Sequence, residues 1–396
     1  MKKKISTKLV RSGNKQTEFM ETSESLFLTS GFTYKTANEA EQAFKEEKKR
    51  FMYSRFGNPT VDMLQRKLAD IEGAEECWAT ASGMSAVFTI FMSYLRKGDR
   101  VVAGRALFGS CHHILTVILP KFGIDVELID GKKIESWEKA LKKKTHMIFF
   151  ETPSNPCLEI IDIQRVVELA KNRNTIVVVD NVFATPILQK PLEFGADLVM
   201  YSATKHIDGQ GRVLGGAILG KKNFCQEYIK PFIRNTGPSI SPFNAWVLIK
   251  GLDTLELRVN KQTENTKIII DYLEQSKFIE KIYYPYLKKS PQYDLAKKQM
   301  SGGGNIVSFE IISKKNREKE NSFSFLNNLS LISISNNLGD TKSLVTHPET
   351  TTHHRLSKME KKKLYISKNL IRLSVGLEDP KDLIDDIDKS LRKLKK

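Results

Sequence analysis

Residues 175–216 read TIVVVDNVFATPILQKPLEFGADLVMYSATKHIDGQGRVLGG. The apolar run Ile176 to Val179 ends in a carboxylate, Asp180, and a second run, Leu198 to Tyr201, ends in Ser202, Ala203, Thr204 and Lys205. Runs this short and rich in β-branched residues predict strands buried on both faces of a parallel sheet. Polar residues just past the carboxyl ends of such strands lie where open α/β sheets place their sites. The stretch therefore predicts one carboxylate and one amine on the same sheet edge, with the hydroxyls of Ser202 and Thr204 beside the amine.

A strand-end Asp can simply cap a helix, and a Lys can be a solvated surface group. A buried Asp that holds a pyridinium nitrogen, with a Lys that condenses with an aldehyde, is the working pair of pyridoxal 5′-phosphate (PLP) enzymes. The S-A-T-K of Ser202 to Lys205 resembles the lysine motif of the transsulfuration (Cys/Met metabolism) PLP family. The fuller string YSATKHIDGQGRVLGG is similar to one branch, the O-succinylhomoserine sulfhydrylases.

The rest of the chain is consistent with that frame. At 396 residues it has room for two domains and a large core. No apolar run approaches the ~18 residues of a membrane span. The basic amino end, MKKKISTKLVRSGNK, lacks an apolar h-region and a small-residue cleavage site, so a secretory signal is not expected and a cytoplasmic location is. The net charge of +17 arises from scattered lysines, as in Lys142 to Lys144 and Lys361 to Lys363, which read as solvated helix faces. No nucleic-acid partner is expected, although such a field would steer anionic substrates. Cys77, Cys111, Cys157 and Cys225 show no C-x-x-C spacing, which fits a reducing compartment and neither zinc nor disulfides. His347, His353 and His354 read as loop residues, and no metal is expected.

Along the chain, residues 1–52 read as an arm that packs on another subunit, with a strand-like piece at Leu26 to Thr29 and a helix from about Asn38 to Lys49. YSRFGNPT, Tyr53 to Thr60, is a turn leading into a helix that reaches about Glu72. A strand from Cys77 leads to Ser82 and Gly83 at the start of a helix, where free amides and the helix dipole suit an anion. Further strands are read at Arg100 to Ala103 and Met147 to Phe150, with RALFGSC and the turn ETPSNP after them. Strands 20 to 30 residues apart with amphipathic helices between imply βαβ units. GQGRVLGG has the wrong glycine spacing for a dinucleotide loop and reads as a turn into the domain's last strand. Arg234 to Arg258 reads as a loop and one long helix joining the domains. A helix from Gln262 to Gln275, a strand near Lys281 to Tyr284, the strand NIVSFEI, a helix over 319–329 and a short strand carrying Arg372 complete the chain.

The resemblance runs from about Glu24 to Ile387. It implies an α/β protein of PLP-dependent transferase fold type I: an arm (1–52), a large PLP-binding domain with a mostly parallel seven-stranded sheet (53–250), and a smaller α/β C-terminal domain (251–396). It implies a homotetramer with shared sites. Tyr53 and Arg55 would reach the cofactor phosphate of a neighbouring subunit, Arg through its planar fork. Gly83, Met84, Ser202 and Thr204 would bind the same phosphate, Lys205 would hold the cofactor, and Asp180 its ring nitrogen. Asn155 would touch the cofactor oxygen and, with Arg372, the substrate carboxylate. Asn337-Leu338-Gly339 stands where the wider family has S-L-G, and Asn337 falls in the substrate region. Phe108 stands where the wider family has a Tyr stacked on the ring. It can stack but lacks a hydroxyl to move a proton. That favours a leaving group that needs no proton, such as a carboxylate with a pKa near ~4.

The implied reaction is γ-replacement, in which O-succinylhomoserine and sulfide give homocysteine and succinate in methionine biosynthesis. Arg105 and Arg212 are candidates for the distal succinyl carboxylate. Cystathionine γ-synthase, O-acetylhomoserine sulfhydrylase and γ-lyase chemistry remain open within the family. A binding or regulatory protein on a degenerate PLP fold is disfavoured by the intact Lys205 and Asp180.

Overall fold

The computed structural model describes residues 3–171 and 173–394. Seven short strands form the first sheet: β1 (Glu76–Thr80), β2 (Arg100–Gly104), β3 (Asp125–Ile129), β4 (Met147–Glu151), β5 (Ile176–Asp180), β6 (Leu198–Ser202) and β7 (Gly216–Gly220). Their order is β1-β7-β6-β5-β4-β2-β3, and β7 alone runs antiparallel to its neighbours. Hence β1, β2, β4, β5 and β6 all end on one edge. Every residue of β2 and β4 is buried, because helices cover both faces of a sheet wound this way. In register, Glu151 at the end of β4 sits beside Asp180 at the end of β5.

The second sheet contains β8 (Ile279–Tyr283), β9 (Ile306–Ile311), β10 (Ser333–Ile334), β11 (Leu344–Thr346) and β12 (Leu370–Ser374), ordered β10-β11-β12-β9-β8 and largely antiparallel. Helix Pro380–Arg392 packs Leu383, Ile387 and Leu391 onto it, together with Phe309 and Phe325. The long helical reading after Arg234 is corrected. The chain forms two helices, Pro242–Leu252 and Leu255–Gln275, broken at Asp253 and Thr254. Residue 250, where the domain boundary was expected, lies inside the first of them.

Three expectations for the arm also change. Leu26 to Thr29 is not a strand. Its backbone is held by side chains instead: Thr60 Oγ1 accepts from the Phe27 amide (2.9 Å), and Asn58 donates to the Phe27 carbonyl (2.9 Å). The extreme amino end does not lie free of its own subunit. Helix Ile5–Arg11 buries Leu9 in the large core, and Lys8 pairs with Asp70 at 3.1 Å. The arm helix is shorter than read, Ala37–Phe44. Glu24 is anchored as well, between Lys250 and the buried Lys67, which also meets Asp253 at 2.7 Å.

A buried polar chain runs behind the strand ends. Tyr201 donates to Glu72 (2.6 Å), Asn181 donates to Tyr201 (2.6 Å), Gln189 donates to Asn181 (2.8 Å), and Gln299 of the C-terminal half donates to Gln189 (3.0 Å). Burial raises the Glu72 carboxyl from its ordinary 4.5 to about 8. A proton bound more tightly in the folded state favours folding fully below the unfolded pKa, and that contribution is lost as pH rises towards the folded one. Wild-type stability should therefore fall relative to Glu72→Gln by up to about 1.4 kcal/mol per pH unit between roughly pH 5 and 8. Thermal melts of both proteins across that range check this, and a difference independent of pH would contradict a protonated Glu72.

Candidate active site

The strand ends bring the polar groups together because β1, β2, β4, β5 and β6 share a direction. Asp180 closes β5 and accepts from the Val182 amide at 3.1 Å. Enclosure by protein raises its carboxyl from 3.8 to about 7. Ser202 closes β6, and the chain then turns so that Lys205 follows. Thr204 is tied into that turn, since its hydroxyl donates to the Gly215 carbonyl (3.2 Å) and accepts from the Gly215 amide (3.1 Å). Burial first, and the positive charge of Arg372 second, lower the Lys205 amine from 10.5 to about 8.

Across from β6, Ser82 caps helix Gly83–Tyr94 by accepting from the Ser85 amide at 3.1 Å. A helix leaves its first amides without intrahelical partners. Gly83 is required there: a Cβ would lie 2.7 Å from Ser202 Cβ. The helix start and the β6 end therefore pack too closely for any other residue.

The second half of the chain supplies the other wall. Arg372, on β12, is 2% exposed. Its Nη1 donates to Asn155 Oδ1 and its Nη2 to the Asn336 carbonyl, both at 2.9 Å, while its Nε is buried with no partner among the described residues. Burial brings its guanidinium down to about 10. Asn337 bridges the halves, with its Oδ1 accepting from Lys205 Nζ at 2.7 Å. One connected set thus links Asn155, Arg372, the 336–337 backbone, Asn337 and Lys205.

Phe108 follows β2 and is partly buried, and its amide donates to Glu151 Oε1 at 2.6 Å. Two residues that the sequence reading did not single out lie beside it. Cys111 Sγ, a Glu151 oxygen and an Asp180 oxygen are all within 4.8 Å of one another. The local sequence around Glu151 signals a turn, and only the β4–β5 register places it against Asp180. His353, read as a loop residue, is in a loop but 1% exposed. Burial first, and Arg372 second, lower its imidazole to about 3. Its signal was the polar run THPETTTH, whose last His is too enclosed to be a solvated one.

Other expected residues stand apart. Tyr53 is 43% exposed. Arg55 donates to the Arg234 carbonyl, lies over the Phe56 ring at 4.8 Å, and is one of the residues lining a separate cleft of about 720 Å³. Among the described residues, neither makes a hydrogen bond to Ser202, Thr204 or Lys205 of the same chain. Arg105 pairs with Asp130 (2.9 Å) and Arg212 with Asp208 (2.9 Å).

An amine of lowered pKa, an enclosed carboxylate, a helix start with no room for a side chain and a guanidinium with a spare buried donor suit a phosphorylated pyridine aldehyde and an amino acid. The site is that of a PLP-dependent enzyme. The chain matches the Cys/Met metabolism PLP-dependent enzyme family over residues 6–392 and belongs to it. The likeness begins well before Glu24, where the sequence reading started it. The chain is 49% identical over 382 residues to an O-succinylhomoserine sulfhydrylase of Mycobacterium tuberculosis (96% of this chain, 94% of the relative). It is 41% identical to the enzyme of that name from Pseudomonas aeruginosa (98% and 95%). In fold it resembles a putative O-acetylhomoserine (thiol)-lyase of Campylobacter jejuni, solved with a pyridoxyl-lysine phosphate, at TM-score 0.93 and 29% identity over 99% of this chain and 100% of that one. No helix among the described residues is long and apolar enough to cross a membrane.

A lysine cannot reproduce the fork of Arg372, which engages Asn155 and the 336–337 backbone at once. Arg372→Lys should raise the KM for an amino-acid substrate by about 10–100-fold, the worth of one or two charge-assisted hydrogen bonds. Steady-state kinetics check this, and an unchanged KM would place the carboxylate elsewhere.

Proposed function

We propose that the chain catalyses γ-replacement on an activated homoserine: O-succinyl-L-homoserine and sulfide give L-homocysteine and succinate. The Lys205–Asn337–Arg372–Asn155 set carries this reading. It holds an amine and a guanidinium in one connected arrangement, as the reactive carbon and the carboxylate of an α-amino acid require. The identity with two O-succinylhomoserine sulfhydrylases supports the choice of branch.

PLP, when bound, supplies an electron sink for the carbanion next to the substrate nitrogen. The chain's residues hold and steer it. Lys205 would be its covalent anchor, and as a free amine would move protons at Cα and Cβ of the substrate. Its lowered pKa of about 8 leaves a useful fraction of free base near neutrality. Asp180, as an anion, would hold the ring nitrogen. Phe108 would stack on the ring, and the absence of a hydroxyl suits a carboxylate that departs as an anion. Gly83, Met84, Ser202 and Thr204 take the phosphate, Asn155 and Arg372 the substrate carboxylate, and Asn337 parks the Lys205 amine beside them.

The groups that one chain would offer the phosphate are hydroxyls and amides. A cation from a second copy, Arg55 with Tyr53, completes the set in a homotetramer with shared sites. Four free, buried cysteines fit a reducing cytoplasm. The positive field draws in an anionic ester.

The experiment is a product assay on PLP-loaded protein with O-succinylhomoserine and either sulfide or cysteine, and with O-acetylhomoserine in parallel. Homocysteine should form fastest from the succinyl ester and sulfide. Cystathionine from cysteine, or preference for the acetyl ester, would move the enzyme to a neighbouring branch.

A further inference from the structure

Glu151 and Asp180 end adjacent parallel strands in direct register, and oxygens of the two lie within 4.8 Å of each other. Glu151 is 5% exposed, and among the described residues no Lys, Arg or His forms an ion pair with either carboxylate. Two like charges this close in a poorly solvated place do not ionise together. One proton must stay.

The surroundings decide which group keeps it. Asp180 retains some exposure and accepts from Val182. Glu151 lies deeper, facing Cys111 from helix Gly109–His113 and the Phe108 amide. The Cys111 thiol beside the pair and the Tyr201 phenol of β6 are both held protonated by burial and add no charge. Burial, then the charge of Asp180, pushes the Glu151 carboxyl well above its ordinary range.

We propose that Glu151 is a positioning residue for the cofactor: a permanently neutral acid that leaves the pair's single negative charge on Asp180 and fixes the Phe108 backbone over the ring site. It touches neither substrate nor cofactor. It acts by making Asp180 the anion and by holding the loop whose ring stacks. The inference rests on the PLP reading above and deepens it.

The test is infrared difference spectroscopy on the full-length PLP-loaded protein at pH 7. The wild type should show a protonated-carboxyl stretch, shifted in D2O, that disappears in Glu151→Gln. A band retained in Glu151→Gln but lost in Asp180→Asn would put the proton on the other carboxylate and overturn the proposal, as would the absence of any band that either variant removes. After the cofactor is stripped, titration with pyridoxal phosphate provides the second readout. Glu151→Gln, neutral and still an acceptor for the Phe108 amide, should rescue the affinity that Glu151→Ala loses by about tenfold. Equal losses in both variants would overturn the neutral-acid role. The infrared band reads Glu151 whether or not the cofactor reading holds, and failure of the wild type to take up pyridoxal phosphate would strike that reading alone.

Discussion

Lys205, Arg372, Asp180 and Glu151 are enclosed at one sheet edge, and among the described residues none forms an ion pair with a charge of opposite sign. Enclosing an unpaired charge costs several kcal/mol even after relaxation. Such an arrangement persists only where the surrounding structure forces it. Here the force is the shared direction of the strands, whose apolar bodies cannot shift register without exposing the core. The shifted pKa values follow from that enclosure: the amine falls, the carboxyls rise, and the guanidinium falls. A dianionic phosphate, a pyridinium and an amino-acid zwitterion supply the complementary charges that the protein withholds from itself.

The two halves of the chain divide this work. The large sheet presents the amine, the carboxylates and the helix start. The small sheet presents Arg372 and the 336–337 backbone. Asn337 spans them, taking the Lys205 amine with its side chain while its neighbour Asn336 takes Arg372 with its carbonyl. Gln299 and Gln189 join the same halves from behind. Any movement of one half relative to the other would be felt at the Lys205 amine.

Much of this was legible in the sequence. Apolar β-branched runs marked β4, β5 and β6 to within a residue, and Asn58-Pro59 and Ser82 marked helix starts that the capping bonds explain. The S-A-T-K string and Asp180 marked two strand ends that the fold does bring to one sheet edge. What local sequence could not carry was cross-strand register and long-range packing. Glu151 looked like a turn residue because its partner lies 29 positions away on the next strand. Leu26 to Thr29 had strand composition but no sheet neighbour, and side chains of Asn58 and Thr60 took its backbone instead. The break at Asp253 and Thr254 was hidden because neither residue is a strong helix breaker.

The central claim is that Lys205 is the amine that carries the cofactor at this edge. It is tested most directly by borohydride reduction of the PLP-loaded protein, digestion and mass spectrometry of the peptides. The account predicts a single phosphopyridoxyl group on the peptide containing Lys205. A modification confined to another lysine, or spread over many, would contradict it.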